Sequence, residues 1–146
     1  MTTVDSDVPY SSTKFAEDIA IYLADPDGWA QFYEFKVGTG GKHIRLCKPK
    51  TIKSVGCEED HLSCATLGGT DIWLNADRWL HGSKASKLPL SDYRQYMVTH
   101  EMGHSLGHNH AKCPGKGHPA PLMMQQTLGI GECSPNTKLT PIDLKS

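Results

Sequence analysis

The chain has 146 residues, 38% of them hydrophobic, with 14 glycines, 9 prolines and a formal net charge of −1. That size and composition fit one loop-rich globular domain and exclude a disordered chain. No apolar run approaches the ~18 residues of a membrane span, and with no basic stripe or charged tail, binding to nucleic acid by electrostatics has little to work with.

The N-terminus, MTTVDSDVPYSS, is polar and lacks the basic start and apolar core of a signal peptide. From residue 13 to 24, TKFAEDIAIYLA places Phe15, Ile19, Tyr22 and Leu23 at helical spacing. Ser12 or Thr13 can cap this helix, and DPDG stops it. Two strand-like runs follow, FYEFKV at 32–37 and KHIRLC at 42–47, and GTGG between them reads as a hairpin turn. TDIWLN at 70–75 reads as a third or edge strand, and DRWL at 77–80 as a short helical turn. A loop through Pro89 leads to SDYRQYMVTHEMGHSL, a helix with Ser91 as N-cap, Asp92 in its first turn and Gly107 at its end. Strands first and a major helix later predict an α+β fold.

Five cysteines punctuate the chain: Cys47, Cys57, Cys64, Cys113 and Cys133. None forms a CxxC pair, which weakens zinc-finger and thioredoxin readings. Cys57 and Cys64 are near enough for a short-loop disulfide. Cys113 and Cys133 bracket a Pro/Gly-rich stretch that a bridge would restrain. Five buried free thiols in a cytosolic protein is the other possibility. With two bridges, Cys47 is left over, free or modified.

The chemistry concentrates in HEMGHSLGHNH, residues 100–110. On a helix, positions i and i+4 lie on one face about a turn apart, so His100 and His104 present two imidazoles to one point. Glu101, offset by about 100°, reaches a water at that point without being a ligand. Gly107 breaks the helix and lets His110 return as a third nitrogen. Three protein ligands with the fourth tetrahedral position open to water describe a catalytic zinc site rather than a closed structural one. The expected reaction is peptide hydrolysis, with Glu101 as general base and then general acid.

His100, Glu101, His104, Gly107 and His110 resemble the extended zinc motif of the metzincin metallopeptidases. PLMMQQT at 121–127 looks like that clan's Met-turn, with Met123 favoured as the methionine beneath the zinc and Met124 as the alternative. A closer resemblance spans roughly residues 57–133. A metzincin-like domain frequent in secreted or cell-envelope proteins of actinobacteria is similar in its Cys-loop, Arg78–Trp79 pair, Tyr93 to Tyr96 helix start, zinc motif, Cys-Pro, Pro-Ala-Pro and Met-Met-Gln-Gln.

The resemblance implies a single catalytic domain over residues 1–146. A small mixed twisted sheet with a backing helix and active-site helix would form an upper subdomain at about 13–107. A short loop-rich lower subdomain at about 108–146 would hold the Met-turn. It also implies one Zn2+ ion, the disulfide pairs Cys57–Cys64 and Cys113–Cys133, and export to the outside or the cell envelope. A peptide or protein substrate would lie against an edge strand, assigned here to 70–75. No nucleic-acid partner is expected, and the protein should be a monomer. The chain departs from the clan at Gln125 (Gln126 counting from Met124), where some members have a zinc-contacting tyrosine. It also departs after the Met-turn, where NTKLTPIDLKS leaves little room for a long helix.

Other residues are discounted. His108 should face solvent after the helix break, and His43, His61, His81 and His118 lack ligand-like spacing, His118 being nearest the cleft. Trp73 and Trp79 are expected in the core, and Gly103 is expected to permit close packing. Cys47 has no surroundings that support a latency switch. The competing functions are a catalytically silent zinc-containing peptide-binding module and an intracellular protease acting on nucleoprotein. The intact Glu101 argues against the first, and charge and cysteine arrangement argue against the second.

Overall fold

The sheet is built around two strands whose inward residues match. In β2 (His43–Cys47), Ile44 and Leu46 point inward, and in β4 (Asp71–Asn75), Ile72 and Leu74 do. Parallel pairing sets Ile44 against Ile72 and Leu46 against Leu74, so one sheet face is apolar along its length. The computed structural model describes residues 1–57 and 62–146; His61 lies outside the described residues. Within them the sheet has four strands in the order β1-β2-β4-β3. β1 (Thr2–Val4) runs parallel to β2, and β3 (Cys64–Ala65) antiparallel to β4. The chain between β2 and β4 includes α2 (Pro49–Ser54), which starts on a proline and buries Ile52.

Helices α1 (Ser12–Leu23), α3 (Ala76–His81) and α4 (Leu90–Ser105) complete the α+β fold. α1 buries Phe15, Ile19 and Leu23, each four residues apart, on a single stripe. Its buried Asp18 accepts from Tyr10 and is paired with Lys14 at 2.7 Å. In α3, Asn75 is the cap, accepting from the Asp77 and Arg78 amides. Trp79 is fully buried, edge-on to Phe15 and beneath the Arg94 guanidinium. α4 buries ten residues on several faces, which is the mark of a helix threaded through an interior.

Several expectations are corrected here. Residues 32–37 form no strand and no hairpin. Their alternation suits a strand, but β1 and β4 occupy both sides of β2, so a hairpin with β2 is excluded. Residues 70–75 are interior to the sheet, because β4 lies between β2 and β3; the edge on that side is the two-residue β3. The polar N-terminus contributes β1, so the sheet begins well before residue 13. Ser11, not Ser12 or Thr13, caps α1 by accepting from the Lys14 amide at 3.1 Å. α4 starts at Leu90 behind Pro89 with no side-chain cap, and Ser91 falls inside its first turn.

Both anticipated disulfides are present, Cys57–Cys64 and Cys113–Cys133. The second joins Ala120 and Ile130 in a small apolar cluster separate from the main core. Cys47 is free and buried, and burial pushes its thiol up to about 12. Among the described residues no helix is long and apolar enough to cross a membrane.

Candidate metal centre

The last turn of α4 explains how the histidines meet. Gly107 has φ +101°, a conformation that suits glycine. Its amide bonds to the His104 carbonyl and the His108 amide to the Gly103 carbonyl, each at 2.9 Å. This 5→2 and 6→1 pair is a Schellman cap. The chain reverses there and returns His110 to the helix. The ring centroids of His100 and His104 lie 4.9 Å apart, and His110 is 5.5 Å and 4.6 Å from them. One ligand nitrogen from each histidine falls within 4.8 Å of the other two.

Backbone carbonyls set the ring orientation. His100 Nδ1–H donates to the Leu122 carbonyl at 2.8 Å, and His104 Nδ1–H donates to the His108 carbonyl at 2.7 Å. Each assignment leaves Nε2 with its lone pair facing the centre. Burial and the neighbouring histidines hold His100 down to about 3, and burial lowers His104 and His110. All three are therefore neutral at neutral pH, the form that binds a metal.

Glu101 is buried beside them, and its Oε2 has no hydrogen-bond partner. Burial pushes its carboxyl up to about 8. A buried orphan oxygen next to three converging imidazoles fits a site that takes a cation and its water. His100, His104 and His110 can thus hold a metal ion, and three imidazoles are consistent with zinc.

A tight turn supports this floor. The Met124 amide bonds back to Pro121 O at 3.1 Å. Met123 is fully buried against Gly103, and a Cβ added at Gly103 would run into Met123 Sδ and lie 2.9 Å from Trp29 Cζ2. That accounts for glycine inside the helix. Asp143 accepts from the Leu122 and Met123 amides at 2.9 and 2.7 Å, and from Thr140 as well. Gln126, also fully buried, donates to Pro121 O and Asn136 O. Tyr96 O–H donates to Met124 O at 2.8 Å and accepts from the Gln126 amide at 2.9 Å. Sequence reasoning does not single out Tyr96, Gln126 or Asp143 as site residues: Tyr96 belongs to the Tyr93 to Tyr96 helix start, and Asp143 has no local signal.

The three histidines and Glu101 open into a cleft of about 360 Å³. Cys64, Ala65 and Leu67 line it from β3 and the following loop, Tyr93, Tyr96 and Met97 from α4, and Asn109, Gln125 and Thr127 from the C-terminal stretch.

The discounted residues mostly stay outside. His118 and His81 are exposed, and His43 bonds Thr3 Oγ1 at 3.0 Å. His108 does not face solvent freely; it is half-buried, 4.6 Å from the Trp29 ring. Trp73 is only half-buried, under the Arg45 guanidinium, and so is no core residue.

No curated protein and no solved structure matches this chain. One family model does, along nearly its whole length: residues 2–144 match "Protein of unknown function (DUF3152)", and the chain belongs to that family.

Proposed function

We propose that the protein is a zinc-dependent endopeptidase of the metzincin type. The observation that carries the reading is Glu101, a buried carboxyl with an unpartnered oxygen beside three neutral imidazoles in an open cleft. His100, His104 and His110 would hold the ion. Zinc bound there supplies Lewis acidity, acidifying a water and polarising a carbonyl. A dication close by also favours the ionised form of Glu101 against the cost of its burial. Glu101 then takes a proton from the water as its oxygen bonds to the carbonyl carbon. When the C–N bond breaks, Glu101 passes that proton to the leaving amine.

On this reading residues 121–124 are the Met-turn and Met123, rather than Met124, is its methionine. Met123 packs against α4, whereas Met124 joins the small cluster around Cys133. The substrate strand would lie along β3, which borders the cleft, rather than along 70–75. The two disulfides fit an oxidising environment and support export.

The test is a mixed peptide library incubated with the zinc-loaded protein and its Glu101→Ala variant, with products read by mass spectrometry. Cleavage by wild type alone, with equal zinc content in both, is the expected result. Metal loss in Glu101→Ala would make Glu101 a ligand. Zinc-loaded protein that binds peptides and cleaves none would favour a silent peptide-binding module.

A further inference from the structure

We propose that Gln125 is a second catalytic group, its carboxamide N–H donating to the carbonyl oxygen of the bond under attack. This rests on the hydrolytic reading above. Most polar side chains of the cleft already have partners. The Tyr93 and Thr127 hydroxyls bond each other at 2.8 Å, which leaves one O–H between them, and Ser63 Oγ accepts from the Asn75 amide while keeping its own O–H. The Tyr96 hydroxyl is spent on Met124 and Gln126. The histidine Nε2 atoms face the metal position, and an ionised Glu101 only accepts.

Among the described neutral polar side chains of the cleft, the two carboxamides, Asn109 and Gln125, are the ones that make no hydrogen bond at all. They differ in mounting. Asn109 is exposed, on the loop that returns His110. Gln125 is half-buried and gripped on both sides, because the one Tyr96 hydroxyl bonds the residue before it and the residue after it. Its own carbonyl accepts from the Leu128 amide at 3.1 Å. The Tyr96 ring stands 5.1 Å from the His100 ring, one turn along α4. Backbone position 125 is thus fixed to the helix that carries the metal ligands, while its side chain stays uncommitted at the cleft wall. The backbone cannot carry the carboxamide away from the cleft, and the unbonded N–H is available to charge that develops there.

The water oxygen bonds to the carbonyl carbon, its proton goes to Glu101, and the C=O π pair moves onto oxygen, where the Gln125 N–H donates. The oxygen pair then re-forms the carbonyl, the C–N pair leaves with nitrogen, and nitrogen takes the proton from Glu101. The Gln125 hydrogen bond is strongest while the oxygen is anionic, so it acts on kcat rather than on ground-state binding.

The experiment uses the full zinc-loaded chain as wild type, Gln125→Ala and Gln125→Glu. Zinc content and thermal melting should be unchanged. For a peptide found by the library screen, kcat should fall about 10²–10³-fold in Gln125→Ala with KM within about twofold, and further in Gln125→Glu. Calorimetric affinity for a phosphinic peptide, a stable tetrahedral anion, should weaken about ten- to a hundredfold in both variants. Wild-type kcat and phosphinate affinity in both variants, with turnover abolished in Glu101→Ala, would overturn the role of Gln125 and leave the peptidase standing. A zinc-loaded wild type that neither cleaves peptides nor binds the phosphinate would overturn both.

Discussion

Two stretches of this molecule lack regular secondary structure over most of their length, and they could hardly differ more. Residues 121–126 carry no strand or α-helix, yet Asp143, Gln126, Tyr96 and Asn136 bond to them or from within them, and Leu122 and Met123 are fully buried. Residues 32–37 have the better sequence pattern for order, but Phe32, Tyr33 and Val37 are exposed, Val37 at 83%. An irregular backbone becomes a rigid one when side chains supply the partners that a helix or sheet would have supplied. Here that supply is spent beneath the three converging histidines.

Asp143→Ala tests the clamp most severely. It strands two buried amides and the Thr140 partners, and should cost about 3–5 kcal/mol by urea unfolding. Zinc affinity should fall with it, since the Leu122 carbonyl orients His100. Stability within about 1 kcal/mol of wild type would mean that the clamp is ornamental. The clamped side also carries a pH penalty. In the metal-free protein Glu101 titrates near 8 instead of near the ordinary 4.5, because it is buried. A raised carboxyl stabilises the fold fully below 4.5, and that contribution is lost as pH rises through about 8. Glu101→Gln should therefore gain on wild type over that window, by at most about 1.4 kcal/mol per pH unit. Parallel curves for the two proteins would refute the burial.

Gly103→Ala pushes a methyl into Met123 and Trp29 and should cost about 1–3 kcal/mol, with a weaker metal site. On the open side, Val37→Ser should change stability by less than about 0.5 kcal/mol and leave zinc binding untouched. A large loss there would show that 32–37 is held by contacts comparable to those of the turn, and the contrast would collapse.

What the sequence made legible was local. His100, His104 and Gly107 declare themselves because a helix has a period and a left-handed cap suits glycine, and HIRLC and DIWLN alternate because one face is buried. Residues 32–37 mislead for the same reason: alternation reports a half-buried extended chain, and whether an edge is open to it depends on strands elsewhere. β1 is invisible because three polar-flanked residues acquire their register only from β2. Asp143 is invisible because the amides it accepts from lie 20 and 21 residues earlier, and no periodicity links positions that far apart.

That last contact also sets a dependence along the chain. All three histidines and Glu101 lie at or before residue 110, but the turn beneath them lacks its acceptor without residue 143. Leu139 and Lys138 then reach back to Asp27 and Asp25 in the loop after α1. A nascent chain stopped at residue 135 would hold every ligand and lack the acceptor for Leu122 and Met123. The histidine cluster thus depends on a segment that supplies it no ligand, because the order of His100 is set by a carbonyl whose own turn Asp143 holds.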